Sequence, residues 1–276
     1  MHYRKTNLQM KKTTLILAVG LLCLAACAQR KGDDKKLDDK GPRNGGGMTV
    51  NKDGDSVFVA LKNETLDKFQ QFTFEDAVTG KTMQYNLFVP EGYDDTEAYP
   101  LLLFMADAST VGKEVTAPLT QGYGALEFAS ERDQKLHPSF VLVPQYTQWA
   151  VQDDWSTTDE VEMTIHLLEA VCKEYKVDRN RLYTTGQSMG GMRDLTKVLQ
   201  DQGARIDSAS WSAKLPAEEQ EQLAEALIAQ GGNINFIKWE TGSVLPETGL
   251  AMEHMASFDY GYKIAAVRDW LFVQRK

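Results

Sequence analysis

Four stretches of the chain show the patterns of apolar residues that predict β-strands. FQQFTFED (69–76) and TMQYNLFVP (82–90) alternate polar and apolar positions on either side of Thr79-Gly80, which predicts an antiparallel pair. YPLLLFMA (99–106) and PSFVLVPQY (138–146) are almost continuously apolar, as is typical of strands that are buried on both faces. These patterns predict a sheet whose middle strands are fully covered.

Helix and strand patterns alternate along the rest of the chain. Residues 158–175 repeat apolar positions at helical spacing, and Thr157 with Glu160 three residues later predicts a capping box there. RLYTTGQS (181–188) predicts a strand that runs into glycine, and a helix pattern follows from Gly190. The later strand predictions are 204–211 and 233–240, and the later helix predictions are 216–230 and 258–274. This alternation predicts an α/β fold with a mostly parallel sheet flanked by helices, with no internal repeat.

The first residues have the pattern of an export signal. Lys11-Lys12 precedes an uncharged apolar stretch from Thr13 to Ala26, which is too short to span a bilayer comfortably and is typical of a secretory signal. The sequence Leu24-Ala25-Ala26-Cys27 resembles a bacterial lipobox, in which the cysteine is lipidated and becomes the first mature residue. The alternative is an ordinary signal peptide followed by a chance cysteine.

The segment after Cys27 has the composition of a linker. Residues 28–47 contain no aromatic or β-branched residue, so they lack the side chains that build a core. We therefore expect a lipoprotein signal peptide over 1–26, the lipidated Cys27 and a flexible tether over 27–50, and one α/β domain over 51–276. The expected location is the bacterial cell envelope, with the exported protein attached to a membrane through its lipid anchor.

Composition and charge exclude several functional classes. The 276 residues carry a net charge of −9, and 26 basic against 39 acidic residues, or −13, remain once 1–26 are removed. An acidic domain argues against a nucleic-acid partner, because phosphates bind to a basic surface. Two of the three cysteines lie in the first 27 residues, which excludes a disulfide framework. Neither a CxxC or HExxH spacing nor a phosphate-binding P-loop is present, so we expect no metal and no cofactor.

The sequence Gly186-Gln187-Ser188-Met189-Gly190-Gly191 matches the G-x-S-x-G nucleophile elbow. A predicted strand precedes it and a predicted helix follows it, which is the context that the elbow requires. Small residues permit the sharp turn, and the helix N-terminus behind the serine favours developing negative charge. The alternative is a glycine-rich turn without chemistry.

With this motif, the chain resembles α/β-hydrolase-fold serine esterases and peptidases. It is similar to secreted bacterial proteins described as polyhydroxybutyrate-depolymerase-like or prolyl-oligopeptidase-like. The resemblance covers most of 69–276 and rests on YPLLLFMADAS, HPSFVLVPQY, VDRNRLYTTGQSMGGM and MEHMASFDYGYKIAAVRDWLF. It implies a Ser–His–acid hydrolase that forms an acyl-enzyme.

The resemblance also assigns the oxyanion donors. One is the backbone amide of Met189, the residue after the nucleophile. The other comes from the loop after YPLLLFMA, where many relatives carry His-Gly and this chain has Ala106-Asp107-Ala108-Ser109. The amide of Ala108 is the candidate there.

The triad base and acid follow from the chain order serine, acid, histidine. His254 is the one histidine after Ser188, and it precedes the predicted closing helix. The acid is harder to find, because only two predicted strands lie between Ser188 and His254. We infer that one or two βα units, including the acid-bearing strand, are missing after the elbow. Among the acids present, Asp207 is the candidate, ahead of Glu240 and Glu253, and a site without an acid is the alternative.

The sequence therefore predicts a lipid-anchored serine hydrolase that acts on esters, with peptides as a second substrate class. The alternative is a degenerate member of the fold, weakly active or inactive, that binds a ligand instead.

Overall fold

A five-stranded mixed sheet carries the fold. The computed structural model describes residues 52, 54–152, 156–188, 205–245 and 253–275. The strands of this sheet are β1 (Gln70–Asp76), β2 (Lys81–Phe88), β3 (Tyr99–Met105), β4 (Phe140–Gln145) and β5 (Val177–Gly186). Their order across the sheet is β1-β2-β4-β3-β5. β2 is antiparallel to β1 and β4, whereas β3 is parallel to β4 and β5, which confirms the mainly parallel α/β prediction.

Helices cover both faces of this sheet. In the described part of the chain they are α1 (Ser56–Thr65), α2 (Ala117–Thr120), α3 (Gly124–Phe128), α4 (Glu131–Leu136), α5 (Asp159–Glu174), α6 (Ala217–Ile228), α7 (Glu253–Ala256), α8 (Phe258–Lys263) and α9 (Ala265–Val273). Leu101 and Leu103 of β3 pack on the side of α5, and Leu102 and Phe104 pack on the side of α1 and α3. Alternate residues of a strand point to opposite faces, so the continuous apolar run follows from this double coverage.

Two further strands form a second, separate sheet. β6 (Ile206–Trp211) and β7 (Ile234–Trp239) are parallel neighbours, and α6 packs against them. Within the described ranges, no strand ladder joins this pair to β5. Along the chain this break follows β5, the point at which one or two βα units are predicted to be missing. The helix predicted from Gly190 falls outside the described residues, as do the predicted signal, Cys27 and the tether.

The closing segment is two helices, whereas the sequence pattern predicts one over 258–274. Ile264 leaves the helical conformation with ψ at 108°, and α9 begins after it. The Glu221 carboxylate of α6 accepts hydrogen bonds from the amides of Ala265 (2.6 Å) and Ala266 (2.9 Å). A carboxylate from another helix therefore caps the N-terminus of α9 and pairs amides that the break would otherwise leave without acceptors.

The predicted capping box at α5 is also wrong. Thr158 is the N-cap residue and its side chain makes no capping hydrogen bond. Glu160 instead accepts hydrogen bonds from the amide and hydroxyl of Thr147, at 3.0 and 2.6 Å, and from the Gln148 amide. Its buried carboxylate therefore holds the loop after β4 instead of the helix terminus.

Candidate active site

The predicted nucleophile lies at the C-terminal end of β5. The Gln187 amide donates to the Met105 carbonyl at 3.1 Å, which extends the contact between β3 and β5 by one residue. Ser188 follows with φ at 51°, and it is the one non-glycine residue with a positive φ in the described part of the chain. A serine in this strained conformation, just beyond a strand that runs parallel to β3, is the geometry of a nucleophile elbow.

The structure brings the predicted base to the predicted nucleophile. His254 lies on α7, and its Nε2 atom is 3.1 Å from Ser188 Oγ. The ring packs edge-on against Phe258, with 4.9 Å between ring centroids. Two residues separated by 66 positions in the chain thus lie within hydrogen-bond distance, as a nucleophile and its base must.

Short hydrogen bonds hold α7 in place. Ser257 Oγ donates to the His254 carbonyl at 2.8 Å. The carboxylate of Glu253 accepts the Gly242 amide from the loop after β7. Glu253 is therefore engaged away from its neighbour, even though it adjoins the base in sequence.

The electrostatics of His254 favour a neutral ring. Burial lowers the pKa of His254, and the negative charge of Asp107 partly opposes this change. A neutral imidazole with Nε2 facing a hydroxyl can accept the serine proton.

The structure does not bring Asp207 to His254. Asp207 lies near the start of β6, and its carboxylate forms an ion pair with Arg205 at 3.4 Å. The end of β6 that adjoins the loop after β7 is Trp211, whose carbonyl accepts the Glu240 amide at 3.0 Å. Four residues of strand separate Asp207 from that end, which is about 13 Å. In the ranges that the structure describes, no carboxylate hydrogen-bonds to His254.

One predicted oxyanion donor falls within the described residues. Ala108 begins a 3₁₀ turn, Ala108–Thr110, directly after β3. The Asp107 side chain accepts the Ser109 amide at 2.6 Å, and the Asp107 backbone carbonyl accepts the Thr110 amide at 3.3 Å. The first amide of such a turn has no partner inside the turn, so the Ala108 amide is the one that can serve a ligand. Met189 lies outside the described residues.

Sequence reasoning missed Tyr262, which supports the elbow from below. Its buried hydroxyl donates to the Gly186 carbonyl at 3.2 Å and lies 3.2 Å from Thr185 Oγ1. Burial raises the pKa of Tyr262 above its usual range, so the hydroxyl keeps its proton. Only the packing of α8 under β5 shows this role, because one tyrosine within an apolar helix pattern carries no distinctive signal.

The described residues contain no cluster of histidine, cysteine or acidic side chains suited to a metal ion. In the same ranges, every helix is too short or too polar to cross a bilayer.

Comparison with solved structures gives the fold. A thermostable esterase superposes with a TM-score of 0.61 and 25% sequence identity, over 77% of this chain and 64% of that one. The match thus spans less than two thirds of the esterase. A ferulic acid esterase from Anaeromyces mucronatus aligns over 74% of this chain and 88% of its own, at 11% identity and a TM-score of 0.39. No protein-family model and no curated protein matches the chain. The protein has the α/β-hydrolase fold.

Proposed function

We propose that this protein is a serine hydrolase that cleaves carboxylic esters through an acyl-enzyme on Ser188. The observation that carries the proposal is the 3.1 Å contact between Ser188 Oγ and His254 Nε2 at the end of β5. His254 takes the proton from Oγ as the serine attacks the carbonyl carbon, and returns it to the leaving alcohol. We propose esters rather than peptides as the substrate class, because the protein that superposes at a TM-score of 0.61 is an esterase.

The oxyanion of the tetrahedral intermediate needs two donors. We assign one to the Met189 amide, because the residue after the nucleophile donates in this fold. The second is the Ala108 amide, which begins the turn after β3. The β3–β5 pairing of Met105 with Gly186 supports this assignment, because it places the turn beside the elbow.

Labelling with a fluorophosphonate tests the proposal. The folded protein should react with the probe at Ser188, and Ser188→Ala should abolish the reaction. Ser208→Ala, which removes an exposed serine on β6, is the matched control and should label like the wild type. A panel of p-nitrophenyl esters of increasing acyl length then defines the substrate class. Absence of labelling in a protein that melts cooperatively would contradict the hydrolase proposal.

A specific observation favours a second candidate function. In the described residues no carboxylate hydrogen-bonds to His254, and loss of the orienting acid typically costs a serine hydrolase about 10⁴ in rate. A degenerate, weakly active or inactive lipoprotein that binds a ligand at this site would share the same fold. If the folded protein does not react with the probe but binds an ester or peptide saturably, this alternative would be supported.

We also propose that the protein is exported and held at the cell envelope by a lipid on Cys27. The support is the Leu24-Ala25-Ala26-Cys27 sequence after an apolar stretch. The full chain expressed in a bacterial host should fractionate with membranes, whereas Cys27→Ser should release it from them. Identical fractionation of the two forms would contradict the anchor.

A further inference from the structure

Asp107 occupies a distinctive place beside the site. It lies two residues beyond the end of β3 and is only 3% exposed. Met105 pairs with Gly186 across the parallel strands, so Asp107 continues β3 at the level where Ser188 continues β5. Neighbouring strands lie about 4.8 Å apart, which places the Asp107 backbone close to the nucleophile.

In the described residues, only one of the two Asp107 carboxylate oxygens accepts a hydrogen bond. One oxygen, Oδ1, accepts the Ser109 amide at 2.6 Å. Within the described ranges, Oδ2 accepts no hydrogen bond and no lysine or arginine forms an ion pair with this carboxylate. A buried carboxylate without a counter-charge is costly, so a positive charge that arises nearby would be stabilised.

The other ionisable groups on the described helices around His254 form hydrogen bonds or ion pairs with residues other than His254. On its own helix, Glu253 accepts the Gly242 amide. From α8, Asp259 pairs with Lys52 at 2.5 Å and accepts the Tyr123 amide, whereas Tyr262 hydrogen-bonds to β5.

Two further carboxylates in the described part of the chain need to be considered, those of Glu240 and Asp107. Glu240 follows β7 and is exposed, so water screens its charge. Asp107 is the buried one, and its charge opposes the lowering of the His254 pKa by burial.

We propose that Asp107, reaching in from the loop after β3, supplies the negative charge that a triad acid supplies to the base of a serine hydrolase. The inference rests on the proposed function and makes Asp107 a positioning residue that acts through His254. When Oγ bonds to the carbonyl carbon, the Oγ–H bond breaks, Nε2 gains the proton, and the carbonyl π electrons move to oxygen. Asp107 stabilises the resulting imidazolium until those electrons return, the bond from carbon to the leaving alcohol breaks, and the alcohol oxygen takes the proton.

The Asp107 charge can act on the rate in two opposite ways, because it stabilises a protonated His254 but disfavours a nearby oxyanion. If stabilisation of His254 dominates, removing the charge slows the reaction. If repulsion of the oxyanion dominates, removing the charge accelerates it.

The test is the pH dependence of fluorophosphonate labelling in wild type, Asp107→Asn and Asp107→Glu. Asparagine keeps an oxygen for the Ser109 amide, so the turn is preserved while the charge is lost. We expect Asp107→Asn to label at least about tenfold more slowly at pH 8 and the acidic midpoint to move to lower pH, since one pKa unit corresponds to a tenfold change. Asp107→Glu should recover part of the rate.

Asp94→Asn is the matched control. The Asp94 carboxylate also accepts an amide two residues on, that of Thr96 at 2.8 Å, but it is exposed in the loop between β2 and β3. Its substitution should leave both the rate and the midpoint unchanged.

A second measurement does not depend on activity. In the Ser188→Ala background, an NMR titration of the His254 ring should give a lower pKa once Asp107→Asn is added. An unchanged ring titration, or labelling by Asp107→Asn that equals or exceeds that of the wild type, would overturn the role of Asp107. Those results would leave the proposed function standing, whereas a wild type that does not label at all would overturn both.

Discussion

At Ser188 the backbone adopts a left-handed conformation that L-residues avoid at a cost of about 1–2 kcal/mol. Two hydrogen bonds fix the backbone just before Ser188 and so stabilise this conformation. The Gln187 amide is tied to the Met105 carbonyl, and the Tyr262 hydroxyl holds the Gly186 carbonyl. The strain places the hydroxyl at the end of β5, where His254 can reach it.

This strain predicts an order of stability among variants of Ser188. The free energy of unfolding of Ser188→Gly should be about 0.5–1 kcal/mol higher than that of Ser188→Ala. Glycine adopts a positive φ without the steric cost, although it gains more freedom in the unfolded chain. Denaturant titration of both variants provides the measurement. A more stable Ser188→Ala would show that the elbow is not strained.

At the scale of elements, the helix that ends the chain depends on a carboxylate from another helix. Glu221 of α6 binds the first two amides of α9, which begins after the break at Ile264. The cap fixes where α9 begins and therefore how it lies against the sheets.

Removing this cap should destabilise the protein. We expect Glu221→Ala to lower the free energy of unfolding by about 1 kcal/mol, as for loss of a helix cap, and Glu221→Gln to cost less because it keeps one oxygen. Glu225→Ala, an exposed position on the same helix, is the control and should change stability by less than about 0.5 kcal/mol. Equal losses from Glu221→Ala and Glu225→Ala would contradict the capping role.

The strands could be predicted from the sequence because alternation and continuity of apolar residues reflect burial directly. The elbow motif and the chain order also predict that Ser188 and His254 lie together, and the two side chains are 3.1 Å apart. The break at Ile264 could not be predicted, because it depends on Glu221 from a distant helix. Asp207 was a candidate because of its position between Ser188 and His254, yet strand direction places it at the far end of β6.

The last helix, α9, joins the two sheets. Val267 packs with the core of β6 and β7, whereas Leu271 and Phe272 pack with the core of the five-stranded sheet. Between them, Arg268 is 4% exposed and binds the Asp133 carboxylate of α4 at 2.6 and 3.0 Å. Arg268 also donates to the Tyr262 carbonyl, which links this buried ion pair to the support under the elbow.

A double-mutant cycle tests this link. Arg268→Met should lower the free energy of unfolding by about 3 kcal/mol, because it leaves the buried Asp133 carboxylate with a single arginine partner, Arg132. Adding Asp133→Asn should recover part of the loss, with a coupling energy of about 1–3 kcal/mol. Additive effects of the two substitutions would show that the pair does not hold α4 to α9.

Mass mapping of the fluorophosphonate adduct tests whether Ser188 and His254 act as nucleophile and base. We expect a single adduct in the wild type, located on Ser188, that forms at least about a hundredfold more slowly in His254→Ala. An adduct on another residue, or an unchanged rate in His254→Ala, would show that the pair does not act in this way.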